Sequence, residues 1–101
     1  MPERVVQVTN QLGMHARAAA RFVKTAARYE SVVTVTRGET TIDGKSILGL
    51  LFLAAAKGSR LRIQTSGRDA GPALDALTRL VQDGIGDPRE PGTDGVEAGE
   101  R

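Results

Sequence analysis

Ser31-Val32-Val33-Thr34-Val35-Thr36-Arg37-Gly38-Glu39-Thr40-Thr41-Ile42-Asp43 is the stretch that decides the architecture. Through Ser31–Arg37 the residues alternate, with Val33 and Val35 on one face and Thr34 and Thr36 on the other. That two-residue period predicts a half-buried strand. Arg37-Gly38-Glu39 has turn chemistry and Thr40–Asp43 reads as a short returning strand, so the pair forms an antiparallel hairpin. Asp43-Gly44 closes it.

On the amino-terminal side of the hairpin the period changes. From Ala16 to Arg28, the residues Ala19, Phe22, Val23 and Ala26 fall at i, i+3, i+4 and i+7, one face of a helix. Arg21, Lys24, Thr25 and Arg28 are left for solvent. Further out, Arg4–Thr9 reads as a strand with Val6 and Val8 on one face, and Asn10-Gln11-Leu12-Gly13 as a loop. On the carboxyl-terminal side, Ile47–Leu53 predicts a short apolar helix with Ser46 as its N-cap. Lys57-Gly58 breaks the chain, and Arg60–Ser66 is a fourth strand with Leu61 and Ile63 inward. A last helix follows, with Asp69 as its expected cap and Pro72 in the first turn, where its missing N–H matters little. Its buried stripe is Ala73, Leu74, Leu77, Leu80 and Val81, and Gly84 marks its end. The order β-α-β-β-α-β-α predicts an α+β fold. It is a two-layer open-faced β-sandwich, a four-stranded antiparallel sheet with three helices on one face.

Length and composition bound the rest. The chain has 101 residues, 40% hydrophobic and 26% charged, enough for one small folded domain. Residues 87–101 differ: they hold five acids and two bases, two Pro and three Gly, with Val96 the only branched aliphatic residue. Such a stretch buries too little apolar area to offset ordering entropy, so the expectation is a folded domain at 1–86 and a disordered acidic tail at 87–101. The formal charge of +2 therefore divides into +5 before residue 87 and −3 after it. A basic body suggests an acidic partner. Three aromatic residues are too few for a base-stacking platform, so nucleic acid is not the expected one. The absence of Cys excludes disulfides, thiolate metal sites and a cysteine nucleophile. One His with scattered carboxylates gives no metal centre, and no cofactor motif is present. No apolar run reaches 18 residues, and the first residues are unlike a signal peptide, so a cytoplasmic domain without membrane insertion is expected.

The one His, His15, stands between Gly13 and Arg17, just before the first predicted helix. A lone His is ordinarily a surface or capping residue. At a helix entrance, though, it adjoins unpaired backbone N–H groups and the positive end of the helix dipole, an anion site suited to phosphoryl oxygens. Arg17 offers a planar guanidinium fork to the same oxygens. A nucleophilic imidazole, helix N–H donors and a guanidinium together suit a transient phosphohistidine. Hydrolysis by a triad lacks a carboxylate near His15 in sequence. Gly44-Lys45-Ser46 ends like a phosphate-binding loop, but Glu39 stands where its first Gly belongs, so an ATP site is unsupported. In the short helix, Ile47, Leu48, Leu50, Leu51, Phe52 and Leu53 cannot all face inward, and an exposed remainder marks a partner surface.

Gly13-Met14-His15-Ala16-Arg17-Ala18-Ala19 and Lys45-Ser46-Ile47-Leu48-Gly49 together resemble the HPr family, the histidine-containing phosphocarriers of the bacterial phosphotransferase system. The likeness covers about residues 1–86. It implies that His15 accepts a phosphoryl group on Nδ1 from phosphorylated enzyme I, whose donor is phosphoenolpyruvate, and passes it to a histidine of an enzyme IIA. The protein would then be a phosphorylated intermediate, not an autonomous catalyst, and a monomer. By the same likeness Arg17 stabilises the transferring phosphoryl, and Ser46 matches a serine modified by an HPr kinase/phosphorylase. Ile47, Leu48 and Leu51 fall on the family's docking patch, flanked by Arg17, Arg21 and Lys24. The family's proline is Ala18 here, which keeps the helix and adds one backbone N–H beside the anion site. Two other readings stand beside this one: a regulatory paralogue in the nitrogen-related phosphorelay, and a small anion- or RNA-binding α+β module.

Overall fold

In a computed structural model, residues 2–53 and 55–85 are described. The elements run β1 (Glu3–Gln7), α1 (Ala16–Ala26), β2 (Val32–Arg37), β3 (Thr40–Asp43), α2 (Ile47–Leu53), β4 (Arg60–Ser66) and α3 (Ala70–Gln82). The hairpin forms as its alternation dictates, with Thr34 opposite Asp43 and Arg37 opposite Thr40. Gly38 turns the chain at φ 63°, a left-handed angle that glycine adopts without strain.

The sheet has the order β1-β4-β2-β3, all neighbours antiparallel. Val6 lies opposite Leu61, and Val35 opposite Ile63. These residues and Val33 share one face and are buried. Phe22 and Ala26 of α1, Leu50 and Leu53 of α2, and Leu74, Leu77 and Val81 of α3 cover them. Each fully buried aliphatic or aromatic side chain contributes about 1.5–3 kcal/mol, so the sheet-to-helix seam dominates the stability. The other face of the sheet stays open, with Val5, Arg62, Thr36 and Thr41 aligned across four strands.

Three details depart from the sequence-based expectation. β1 starts one residue earlier and ends at Gln7, because Val8 leaves the ladder to pair with the Gly58–Ser59 turn: Val8 N–H donates to Ser59 O and Gly58 N–H to Val8 O, both at 2.8 Å. α1 ends at Ala26, two residues short of Arg28, in a tightened turn whose last donor is Tyr29 N–H to Ala26 O. Asp69 occupies the N-cap position of α3, yet its side chain makes no capping bond. Its carboxylate instead accepts the backbone N–H groups of Glu30 and Ser31, each at 2.9 Å, and the Ser31 hydroxyl. Three donors converging at the start of β2 outweigh one helix amide.

α3 closes with the bonds of a Schellman motif, Gly84 N–H to Val81 O and Ile85 N–H to Leu80 O. Ile85 has a positive φ of 57° and is fully buried, so the turn after α3 is pinned into the core. The expected tail at 87–101 lies outside the described residues. No described helix is long and apolar enough to cross a membrane.

Candidate functional site

The loop before α1 is fixed by backbone bonds to a distant segment. Met14 N–H donates to Ala55 O at 2.8 Å, and the Asn10 amide donates to Gly13 O at 2.8 Å. Gly13 adopts φ 67°, and a Cβ there would lie 2.5 Å from Ala55 O, so only glycine fits. Met14 is buried beneath the loop. The next residue, His15, is thereby delivered to the N-cap of α1 with extended backbone, φ −84° and ψ 180°.

His15 is half-buried, and its side chain makes no capping bond to the helix. Its carbonyl accepts the first intrahelical bond, from Ala19 N–H at 2.8 Å. The amides of Ala16, Arg17 and Ala18 thus precede the helical ladder and have no acceptor within it. No acidic residue sits in this first turn. The positive helix end is therefore not neutralised locally, and an anion held by His15 would meet both the dipole and the amides. Arg17, two positions after His15, is exposed and within reach to fold over such an anion. Ala18 is completely buried, which seats the first turn directly on the core.

α2 packs beside α1 in the helical layer. Ser46 caps it as expected, its Oγ accepting Gly49 N–H at 3.0 Å. Leu50 and Leu53 turn inward, while Ile47, Leu48 and Leu51 are exposed. Leu48, at 79% exposure, is the most exposed large apolar side chain among the described residues. Four further large apolar side chains are exposed, Val5, Leu12, Val32 and Phe52; of these the sequence reading named only Phe52 among residues that could stay outside, without placing it on the patch. The inward pair Leu50 and Leu53, three apart, leaves Phe52 outward, a signal legible only once the inward face is known. Of the basic flank, Lys24 is exposed on α1. Arg21 is half-buried and donates to Ile85 O at 3.3 Å, so part of its donor capacity already serves the fold. Among the described residues no group of His, Cys, Asp and Glu could hold a metal ion.

The family described as PTS HPr component phosphorylation site matches residues 2–83. The chain belongs to the HPr family. It is 41% identical over 87 residues to the phosphocarrier protein HPr of Neisseria meningitidis serogroup A, covering 86% of this chain and 98% of that one. It is 39% identical over 79 residues to the phosphocarrier protein NPr of Shewanella violacea, covering 78% and 87%. A crystal structure of HPr-C-His from Thermoanaerobacter tengcongensis superposes with a TM-score of 0.84 at 31% identity, over 88% of this chain and all of that one. The four-stranded sheet with three helices is the HPr architecture, and the family role is phosphoryl carriage in the phosphotransferase system. An independent anion- or RNA-binding module is set aside.

Proposed function

We propose that His15 is the phosphoryl acceptor and that Arg17 stabilises the group in transit. The observation that carries this reading is the place of His15 at the N-cap of α1, its side chain making no capping bond. In the transfer, Nδ1 attacks the phosphorus of a phosphohistidine on enzyme I. A new N–P bond forms as the donor's N–P bond breaks, and the electron pair stays on the donor ring. The reverse logic hands the group to a histidine of an enzyme IIA. The amides of Ala16, Arg17 and Ala18 supply preorganised donors for the three oxygens, and the Arg17 guanidinium adds charge as negative charge redistributes.

Ile47, Leu48 and Leu51 form the surface on which partners dock, with Arg17, Arg21 and Lys24 as its basic flank. Ser46 at its edge is the regulatory position, a substrate for an HPr kinase/phosphorylase where the host has one. The protein works in the cytoplasm as a monomer. The NPr relative supports a second reading, in which the same chemistry serves a regulatory enzyme IIA. Onward transfer tests the scheme: protein charged by enzyme I and phosphoenolpyruvate should lose its label when mixed with a cognate enzyme IIA. The label should be acid-labile and alkali-stable. An alkali-labile, acid-stable label would place the group on a hydroxyl and overturn the carrier assignment.

A further inference from the structure

Arg17, Arg21, Lys24 and Arg28 succeed one another at spacings of 4, 3 and 4, which aligns them as one stripe along α1 and its final turn. No acid occurs between Arg4 and Tyr29. Three bases elsewhere find carboxylates: Arg4 lies 3.6 Å from Asp75, Arg62 3.8 Å from Glu3 and Arg68 3.6 Å from Glu30. Arg17, Lys24 and Arg28 have no such partner among the described residues. Like charges at i, i+4 disfavour a helix, so this stripe calls for a countercharge.

The same chain carries one. Asp87, Glu90, Asp94, Glu97 and Glu100 bring five acids against two bases into residues 87–101. The described residues end at Ile85, whose carbonyl accepts the Arg21 guanidinium, so the acidic sequence is tethered just after a contact with the stripe. Fifteen residues can extend about 50 Å, whereas the stripe is about 16 Å long at 1.5 Å rise per residue. A tethered segment of this length acts at an effective concentration around millimolar, enough for weak ion pairs to matter.

We propose that the acidic segment 87–101 of this chain lies along the cationic stripe of α1 and is displaced when a partner docks there. The contact itself stands on charge and connectivity; the displacement rests on the docking surface proposed above. The competing basic surface is the open sheet face around Arg60 and Arg62. The absence of Cys allows a clean test in the full chain. A nitroxide on Val96→Cys should broaden the amide resonances of Arg17–Arg28 at low salt. The broadening should vanish near about 0.5 M salt, where the Debye length falls to a few ångströms. It should vanish also when the five acids are changed to Asn or Gln. Broadening centred on Arg60–Ser66, or broadening of α1 indifferent to salt and to neutralisation, would overturn the contact. The neutralised variant should bind enzyme I about twofold tighter at low salt if half the molecules are self-occupied. Equal affinities would overturn the displacement, and the nitroxide readings hold whether or not His15 takes the phosphoryl group.

Discussion

Arg17 and Asp69 show how differently two charged residues serve one small domain. Arg17 is exposed at the second position of α1, makes no ion pair among the described residues, and opposes the helix dipole. Its removal should leave the melting temperature almost unchanged. A preorganised cationic donor, however, contributes about 2–4 kcal/mol to a transition state, so Arg17→Ala should slow transfer from enzyme I more than tenfold. Stopped-flow transfer and a melting curve, run on the same preparation, check both halves; equal losses would make Arg17 structural. Asp69 is the reverse case. Hydrogen bonds from the Ser31 hydroxyl, then from the backbone of Glu30 and Ser31, hold its carboxyl below the usual carboxylate range. A lowered folded pKa means the unfolded chain binds the proton more readily, so this stability is present above about pH 4 and lost on acidification through the folded value. Wild type should therefore lose melting temperature between about pH 5 and 3 more steeply than Asp69→Asn, which starts lower at neutral pH. Parallel acid limbs would contradict it. The role of Asp69 was hidden in the sequence because its partners lie 38 and 39 positions away; a local reading sees only an Asp before a helix and assigns a cap.

Among the elements, α2 joins the capping Ser46 to an exposed apolar patch, the proposed regulatory and docking positions. Ser46 Oγ accepts Gly49 N–H, a role that an Asp or phosphoserine oxygen can also fill, so a negative charge at this position should leave the fold intact. The partner meets a different situation. In the proposed docking Ile47, Leu48 and Leu51 are desolvated, and a charge at their edge keeps its water. Ser46→Asp should weaken enzyme I binding by about tenfold, near 1.4 kcal/mol, with an unchanged melting temperature. Titration calorimetry beside thermal melts reads both, and matched affinities would leave Ser46 a cap alone. The boundaries of α2 and of the β2–β3 hairpin were readable because Ser46, Gly38 and the two-residue alternation act locally. The end of β1 was not, since Val8 is drawn away by the Gly58–Ser59 turn some fifty residues on. The same long-range lacing fixes Gly13 against Ala55, which explains why the glycine before His15 cannot be replaced.

Across the whole molecule, periodicity and turn chemistry recover the order of seven elements and the inward faces of β1, β2 and β4. What it could not supply was the identity of the site. A single His before a helix is compatible with several roles, and the pairing of two motifs with the HPr family raised one of them. The structure then adds a specific arrangement: a loop locked by Met14 and Gly13, a His at the N-cap, and a first turn free of acids. The charge asymmetry between the body and residues 87–101 was fully legible in the sequence, whereas the contact of Arg21 with Ile85, just past α3, was not. The central claim is that His15 alone accepts the phosphoryl group. Intact-mass spectrometry after incubation with enzyme I and phosphoenolpyruvate tests it most directly. Wild type should gain one phosphoryl group and His15→Ala none, with both proteins giving the same melting curve; undiminished uptake by a folded His15→Ala protein would contradict the account.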